Sequence, residues 1–144
     1  MNAIHEDRGV VGYVPGAWDM FHIGHLNILK RAREYCDWLV AGVVTDDALF
    51  AMKNKYPIIP FEERLAIVEA IGIVDQAIVD HSANKVEVWQ NVHFDLLFKG
   101  DDWRGTPKGK RLECELATVG ARVQYFPYTL HTSSTELRRV LAEW

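Results

Sequence analysis

Cysteine is scarce in this chain. Cys36 and Cys114 are the only two in 144 residues, and they form no Cys-x-x-Cys pair, so both read as reduced packing residues within helices rather than as a disulfide or a metal pair. Positive charge is also in short supply. Sixteen Lys and Arg stand against 20 Asp and Glu, a formal net charge of −4, which denies the chain the dominant cationic footprint that nucleic acid or an anionic membrane surface requires. Any anion it binds must be held locally. No apolar run approaches a membrane span, and the opening "MNAIHEDR" lacks the apolar core of a secretory signal, so a cytoplasmic protein is expected. There is no internal repeat, low-complexity tract or linker. Apolar residues, by contrast, make up 49% and aromatics 11%, enough at this length for one domain with a full core, expected over residues 9–144 behind a flexible tail at 1–8.

The order of patterns predicts the architecture. "GVVGYVP", 9 to 15, is a short apolar run ended by Pro15 and Gly16, as for a buried strand and a turn. From Gly24 to Cys36 the residues Leu26, Leu29, Ala32 and Cys36 recur at helical spacing. "WLVAGVVT", 38 to 45, suits a strand covered on both faces. A short helix over 46–52 and an irregular loop with two prolines over 53–60 follow. A helix marked by Phe61, Leu65, Val68 and Ile71 is then stopped by Gly72. "VDQAIVD", "HFDLLFKG" and "ARVQYFPY" supply three more strands, separated by helices near 83–91 and 107–119, the second with Pro107 at its start and Gly120 at its end. A last helix begins near Ser134 and is expected to bury Leu137, Val140, Leu141 and Trp144. Strands alternating with helices give the α/β class, here a Rossmann-like, doubly wound, parallel five-stranded sheet with helices on both faces. Ligands in such a sheet sit beyond the carboxyl ends of the strands, where the winding reverses.

Three stretches carry chemistry. In "GAWDMFHIGH", 16 to 25, His22 and His25 lie nearly one helical turn apart at the end of the first strand and the start of its helix. Free backbone N–H groups and the helix dipole favour a phosphate there, and Gly24 lets a ligand approach the backbone. The plain alternative is one histidine capping the helix and the other packing. In "TSSTELRR", 132 to 139, Ser133 and Glu136 fit a capping box, yet four consecutive hydroxyls also suit a second phosphate site. In "FKGDDWRG", 98 to 105, the paired acids are either turn residues or include a carboxylate that accepts from the exocyclic amine of a base, with Trp103 as a stacking surface or a wall. Lys53 and Arg64 are cations that either neutralise phosphate or are solvated and paired with Glu62 and Glu63.

Together these residues resemble the cytidylyltransferase branch of the HxGH nucleotidyltransferases, most closely the members that act on glycerol 3-phosphate. The likeness covers residues 10 to 141 through "GAWDMFHIGH", "ERLAIVEAIGIVDQAIV", "KGDDW" and "YTLHTSST". Class I aminoacyl-tRNA synthetases share His-Ile-Gly-His but are far longer and carry a Lys-Met-Ser-Lys-Ser loop that is absent here. The resemblance implies transfer of CMP from CTP to a small phosphorylated alcohol, giving a CDP-alcohol and pyrophosphate. It assigns His22 and His25 to the triphosphate and the charge that grows on pyrophosphate, and Lys53 to a bridge between the α-phosphate and the acceptor phosphate. Arg64 would anchor acceptor or pyrophosphate. Gly16, Ala17, Trp18, Asp19 and Gly24 would form the nucleotide loop, with Asp19 shaping it. Thr132, Ser133 and Ser134 would hold outer phosphates, and Asp102 would read the cytosine amino group. It further implies magnesium bound through the nucleotide phosphates with no protein metal cage, and a homodimer.

The chain departs from the family pattern in places. Tyr128 stands where an arginine is usual, so that contact is lost or supplied by Arg104, Arg138 or Arg139. Leu130 and His131 replace glutamate and glycine, and Gly72 replaces an arginine associated with the dimer interface. A phosphonate acceptor, an adenylyltransferase on the same scaffold, and a non-catalytic nucleotide-binding module are the competing readings.

Overall fold

Alternate residues of the central strands enter two separate cores, and this sets the layers. In the computed structural model, which describes residues 8–127 and 133–144, the strands β1 (Val11–Gly16), β2 (Trp38–Val44), β3 (Gln76–Asp80), β4 (Leu96–Gly100) and β5 (Arg122–Phe126) form one parallel sheet in the order β3-β2-β1-β4-β5. The helices are α1 (Ile23–Arg33), α2 (Asp46–Lys53), α3 (Phe61–Glu69), α4 (Lys85–Val92), α5 (Pro107–Ala117) and α6 (Ser134–Ala142), with a 3-10 turn at Asp101–Trp103. Val14, Leu39, Ala41, Val43, Leu96 and Phe98 point to one side, where Leu29 and Ala32 of α1 and Val68 of α3 cover them. Val11, Tyr13, Val40 and Leu97 point to the other, against Val88 of α4 and Leu112 and Leu116 of α5. Each valine, leucine or phenylalanine among them, fully buried, contributes about 1.5–3 kcal/mol relative to exposure. The doubly wound α/β architecture expected from the sequence is the one found.

Because α1 and α3 lie on one face and α4 and α5 on the other, the winding reverses between β1 and β4. The crevice outside their carboxyl ends is therefore where this fold places ligands. Gly42 of β2 serves that end of the sheet. A Cβ there would overlap the Tyr13 hydroxyl, which donates to the fully buried Asp80 at 2.5 Å. Asp80 also accepts from Lys85 Nζ at 2.8 Å, so the end of β3 is tied to β1 and α4.

Some expectations are corrected. α3 ends at Glu69 with Ala70 in the right-handed region, and Gly72, exposed and without positive φ, does not stop it. Cys36 follows α1 rather than belonging to it, and Cys114 is exposed, so it is not a packing residue. The largest difference is α6, which buries none of its residues: Leu137 is half-buried, Val140 and Leu141 are exposed, and Trp144 is 97% exposed. Its link to the body is polar and lies at its first turns, as described below. The tail expected at 1–8 falls outside the described residues except for Arg8. Among the described residues no helix is long and apolar enough to cross a membrane.

Candidate active site

The loop after β1 is held in a backbone shape its residues would not choose. Trp18 (φ 57°) and Met20 (φ 51°) both adopt the left-handed conformation, which costs energy for bulky residues and persists only where surrounding contacts impose it. Those contacts are specific. Trp18 Nε1 donates to Gly42 O at 2.9 Å, and its ring is buried in the core. Asp19, 3% exposed, accepts from Ile58 N and Ile59 N, each at 2.9 Å, and from Arg138 Nη2 at 2.6 Å. Its carboxylate thus joins the β1 loop, the 53–60 loop and α6. The Asp19 carboxylate is committed to the loop it was expected to shape, and both Asp19 and Trp18 still line the cavity described below.

Arg64 requires the clearest correction. It is 0% exposed, and its guanidinium donates to Ile59 O (2.9 Å), Ala17 O (2.6 Å), Val44 O (2.8 Å) and the Asp46 carboxylate (2.6 Å). A group so enclosed is no anchor for substrate. Its planar fork instead fastens the ends of β1 and β2 to the loop before α3.

The two histidines form a reciprocal cap. His22 Nδ1 accepts from Gly24 N at 3.1 Å and His25 Nδ1 accepts from His22 N at 3.2 Å, while the rings stack with centroids 3.9 Å apart. The plain reading has one histidine capping and the other packing; both take part in the cap, and the N–H of Gly24 is spent on it. Capping also fixes chemistry. With Nδ1 accepting, the proton of each neutral ring sits on Nε2, making both rings donors there. His22 Nε2 is 3.3 Å from Ser134 Oγ, which in turn donates to Asp19 O at 2.6 Å.

A cavity of about 300 Å³ opens beside this cluster, walled by Gly16, Ala17, His25, Lys53, Lys55, Ser134, Thr135 and Arg138 among others. It joins the N-termini of α1 and α6, as a polyphosphate cradle requires. Ser133 is spent capping α6 through Glu136 N (3.0 Å), one half of the expected box, and it does not line the cavity. Of the three arginines offered as replacements at Tyr128, Arg138 lines it, whereas Arg139 pairs with Glu143 at 3.3 Å and Arg104 lies over the Tyr125 ring. Thr135 is among the four hydroxyls read from the sequence as a second phosphate site and Arg138 among the replacement arginines, whereas Lys55 has no role in the sequence reading.

A second cavity, about 360 Å³, shares Pro15, Gly16, Ala17, Leu49 and Lys53 with the first. Lys53, the last residue of α2, thus stands where the two meet. The second cavity is lined as well by Lys85, Lys99, Trp103, Lys108, Arg111 and Leu112, and none of these cations was picked out from the sequence. Lys99 ends an otherwise apolar strand with its ammonium 3.9 Å from the Trp103 ring centroid. Burial, reinforced by Lys85 and Lys53 and opposed by Asp102 and Asp80, lowers its pKa to about 8. Asp102 itself lines neither cavity. It is exposed on the 3-10 turn beyond β4, its carboxylate folded back over Gly100.

Residues 13–140 match the cytidylyltransferase-like family. The chain belongs to that family. It is 34% identical over 139 residues to the ethanolamine-phosphate cytidylyltransferase of Arabidopsis thaliana, covering 93% of this chain but 32% of the plant protein, so it spans about a third of that relative's length. It is 31% identical over 128 residues to the glycerol-3-phosphate cytidylyltransferase of Bacillus spizizenii, covering 88% of this chain and 93% of that one. Family and relatives indicate a CTP-dependent transferase. In fold, the chain is similar to a lipopolysaccharide core biosynthesis protein from Thermoplasma volcanium (TM-score 0.71, 23% identity, 86% and 99% of the two chains) and to pantothenate synthetase from Thermus thermophilus (TM-score 0.66, 18% identity, 90% and 62%). Tyr128, Leu130, His131 and Thr132 lie outside the described residues.

Proposed function

We propose that this cytidylyltransferase-like chain transfers CMP from CTP to a small phosphorylated alcohol. One observation carries the reading: a cavity lined by His25, Ser134 and Arg138 meets a second cavity at Lys53, so a triphosphate in the first places its α-phosphorus next to an acceptor phosphate in the second. An oxygen of the acceptor phosphate forms the new P–O bond, the bond between the α-phosphorus and the bridging oxygen breaks, and pyrophosphate leaves with that electron pair. A phosphate monoester is already anionic near neutral pH, so the reaction requires no protein nucleophile. Alignment and charge neutralisation supply the acceleration.

The residues divide the work by position. His25, donating from Nε2, and the first turn of α6 with Ser134 and Thr135 meet charge on the outer phosphates, with Lys55 and Arg138 adding cations. Lys53 touches both phosphates at the point of transfer. Asp102 lies exposed on the turn beyond β4, outside both cavities, so the proposed basis for CTP over UTP is a cytosine amino group that extends past the cavities to reach it. Among the described residues no three His, Cys, Asp or Glu converge to ligate a metal, and Asp19 is spent on Ile58, Ile59 and Arg138. That donor set fits magnesium held through the nucleotide phosphates and waters, where it would neutralise charge on the leaving group. A homodimer belongs to the same proposal.

The test is pyrophosphate release with each of the four nucleoside triphosphates against a panel of phosphorylated alcohols and phosphonates. Turnover should require CTP and a phosphorylated alcohol. Turnover with ATP alone would make the chain an adenylyltransferase, and no turnover with any pair would leave a binding module.

A further inference from the structure

The second cavity is more cationic than one phosphate requires. Five cations line it, Lys53, Lys85, Lys99, Lys108 and Arg111, against the single acid Glu115. Lys85 is answered by Asp80 at 2.8 Å. Among the described residues, no ion pair holds Lys53, Lys99, Lys108 or Arg111. Lys53 lies at the junction with the nucleotide cavity and accounts for the transferring phosphate. Three cations remain farther along the cavity, around Trp103: Lys99 at 3.9 Å and Lys108 at 5.9 Å from its ring centroid, with Arg111 one helical turn after Lys108 on α5.

Keeping Lys99 charged, partly buried near Lys85 and Lys53, carries a cost that Asp102 and Asp80 offset only in part, while Lys108 and Arg111 line the cavity from exposed positions on α5. Lys99 is held down to about 8 by burial and by Lys85 and Lys53. A ligand anion repays that cost, because its charge stabilises the ammonium and its oxygens accept the hydrogen bonds. A ligand ammonium would add to it.

We infer that the acceptor carries a second acidic group, a carboxylate or a further phosphate, that docks between Lys99, Lys108 and Arg111 beyond the phosphate that receives CMP. This rests on the transferase reading for the role of the cavity. It sets the chain apart from an acceptor whose far end is an ammonium, such as ethanolamine phosphate, and from a neutral polyol phosphate.

The experiment uses two matched pairs that differ at one group. 3-Phosphoglycerate has a carboxylate where glycerol 3-phosphate has a hydroxymethyl group, and O-phosphoserine adds a carboxylate to ethanolamine phosphate. Binding to the full chain is measured by calorimetry at pH 7, and CTP-dependent pyrophosphate release is measured with the same four compounds. The acidic member of each pair should bind about tenfold to a hundredfold more tightly, as expected for a charge-assisted contact. Lys99→Gln should collapse that ratio, and Arg111→Gln, at an exposed helical position, should reduce it in a chain whose fold is not at risk. Equal binding within both pairs, or preference for the neutral or amino member, overturns the inference while leaving the transferase reading intact if pyrophosphate is released. Preference for the acidic members without release from any of them sustains the anion site and sinks the transferase reading.

Discussion

Replacing Lys99 by methionine should stabilise the empty protein, and the gain should depend on pH. Methionine keeps an unbranched stem against Trp103 and removes the charge that burial, with Lys85 and Lys53, disfavours. A lysine whose pKa falls from 10.5 to about 8 costs roughly 3 kcal/mol when charged, at 1.36 kcal/mol for each factor of ten. Lys99 is only partly buried, and solvent screening reduces that to about 1–2 kcal/mol. Loss of the contact with the Trp103 ring returns about 0.5–1 kcal/mol. The net expectation is a gain on the order of 1 kcal/mol at pH 7.

The sign follows from proton counting. Between about pH 8 and 10.5 the unfolded chain holds the lysine proton more firmly than the folded one, so wild-type stability rises with pH across that window. The cost of the charge is full below pH 8 and gone above 10.5, and the methionine variant lacks this dependence. Urea unfolding of both proteins at pH 7 and near pH 10.5 measures it: the difference should favour the variant at neutral pH and vanish at high pH, where the neutral amine has neither the buried charge nor the cation–π contact. A difference that stays the same at both pH values would refute the electrostatic account. So would a variant distinctly less stable than wild type at pH 7.

Other perturbations separate the groups that hold the site from those that meet a ligand. His25→Ala should lower turnover by ~10²–10³, as for loss of one preorganised donor; near-normal turnover per folded molecule would leave the imidazole as a cap alone. Arg64→Met removes the donor to Ala17 O, Val44 O, Ile59 O and Asp46 and should cost about 3–5 kcal/mol in urea unfolding, whereas a substrate anchor would show mainly in KM. Asp102→Ala should reduce discrimination of CTP over UTP by about 1–3 kcal/mol, read as the ratio of kcat/KM values; unchanged discrimination would move base recognition to the backbone. Gly42→Ala, which forces a methyl group into the Tyr13 hydroxyl, should destabilise by about 1–3 kcal/mol, and a neutral outcome would mean that Tyr13 and Asp80 can part without loss.

The sheet and its helices were legible because their signals are local. Short continuous apolar runs and helical spacing identify β1, β2, α1 and α5 within a residue or three of their observed ends, and Pro107 marks the start of α5 where it stands. The pattern misled at α6, where Leu137, Val140 and Leu141 have the spacing of a buried stripe but the helix docks by polar contacts of Ser134 and Arg138 with Asp19. The histidines were legible as a pair at a helix start, while their mutual capping was foreseen for only one of them. Lys99, Lys108 and Arg111 went unseen because a lysine before a glycine and basic residues on a polar helix face read as ordinary solvated charge. Only the fold brings β4 and α5 to one cavity.

Arg64 shows why residue type did not give role. An arginine near a phosphate site suits phosphate as well as it suits carbonyls, and the difference lies in partners 5 to 47 positions away in the chain. The same holds for Asp19, whose partners are 39, 40 and 119 residues distant. Together these two buried charges fix the 16–22 loop, the 53–60 loop and the start of α6 relative to one another, in a loop strained at Trp18 and Met20. Transfer between phosphates depends on cations held in place before the substrate arrives, since groups that must reorganise during the reaction stabilise its charge less. In the proposed transfer Asp19 and Arg64 would contribute by that rigidity, since Asp19 holds Arg138 and Ser134 at the cradle and Arg64 holds Ala17 at the junction. Their loss should therefore appear first as a less stable protein and then as slower transfer, whereas loss of Lys53 or His25 should slow transfer in a protein that still folds.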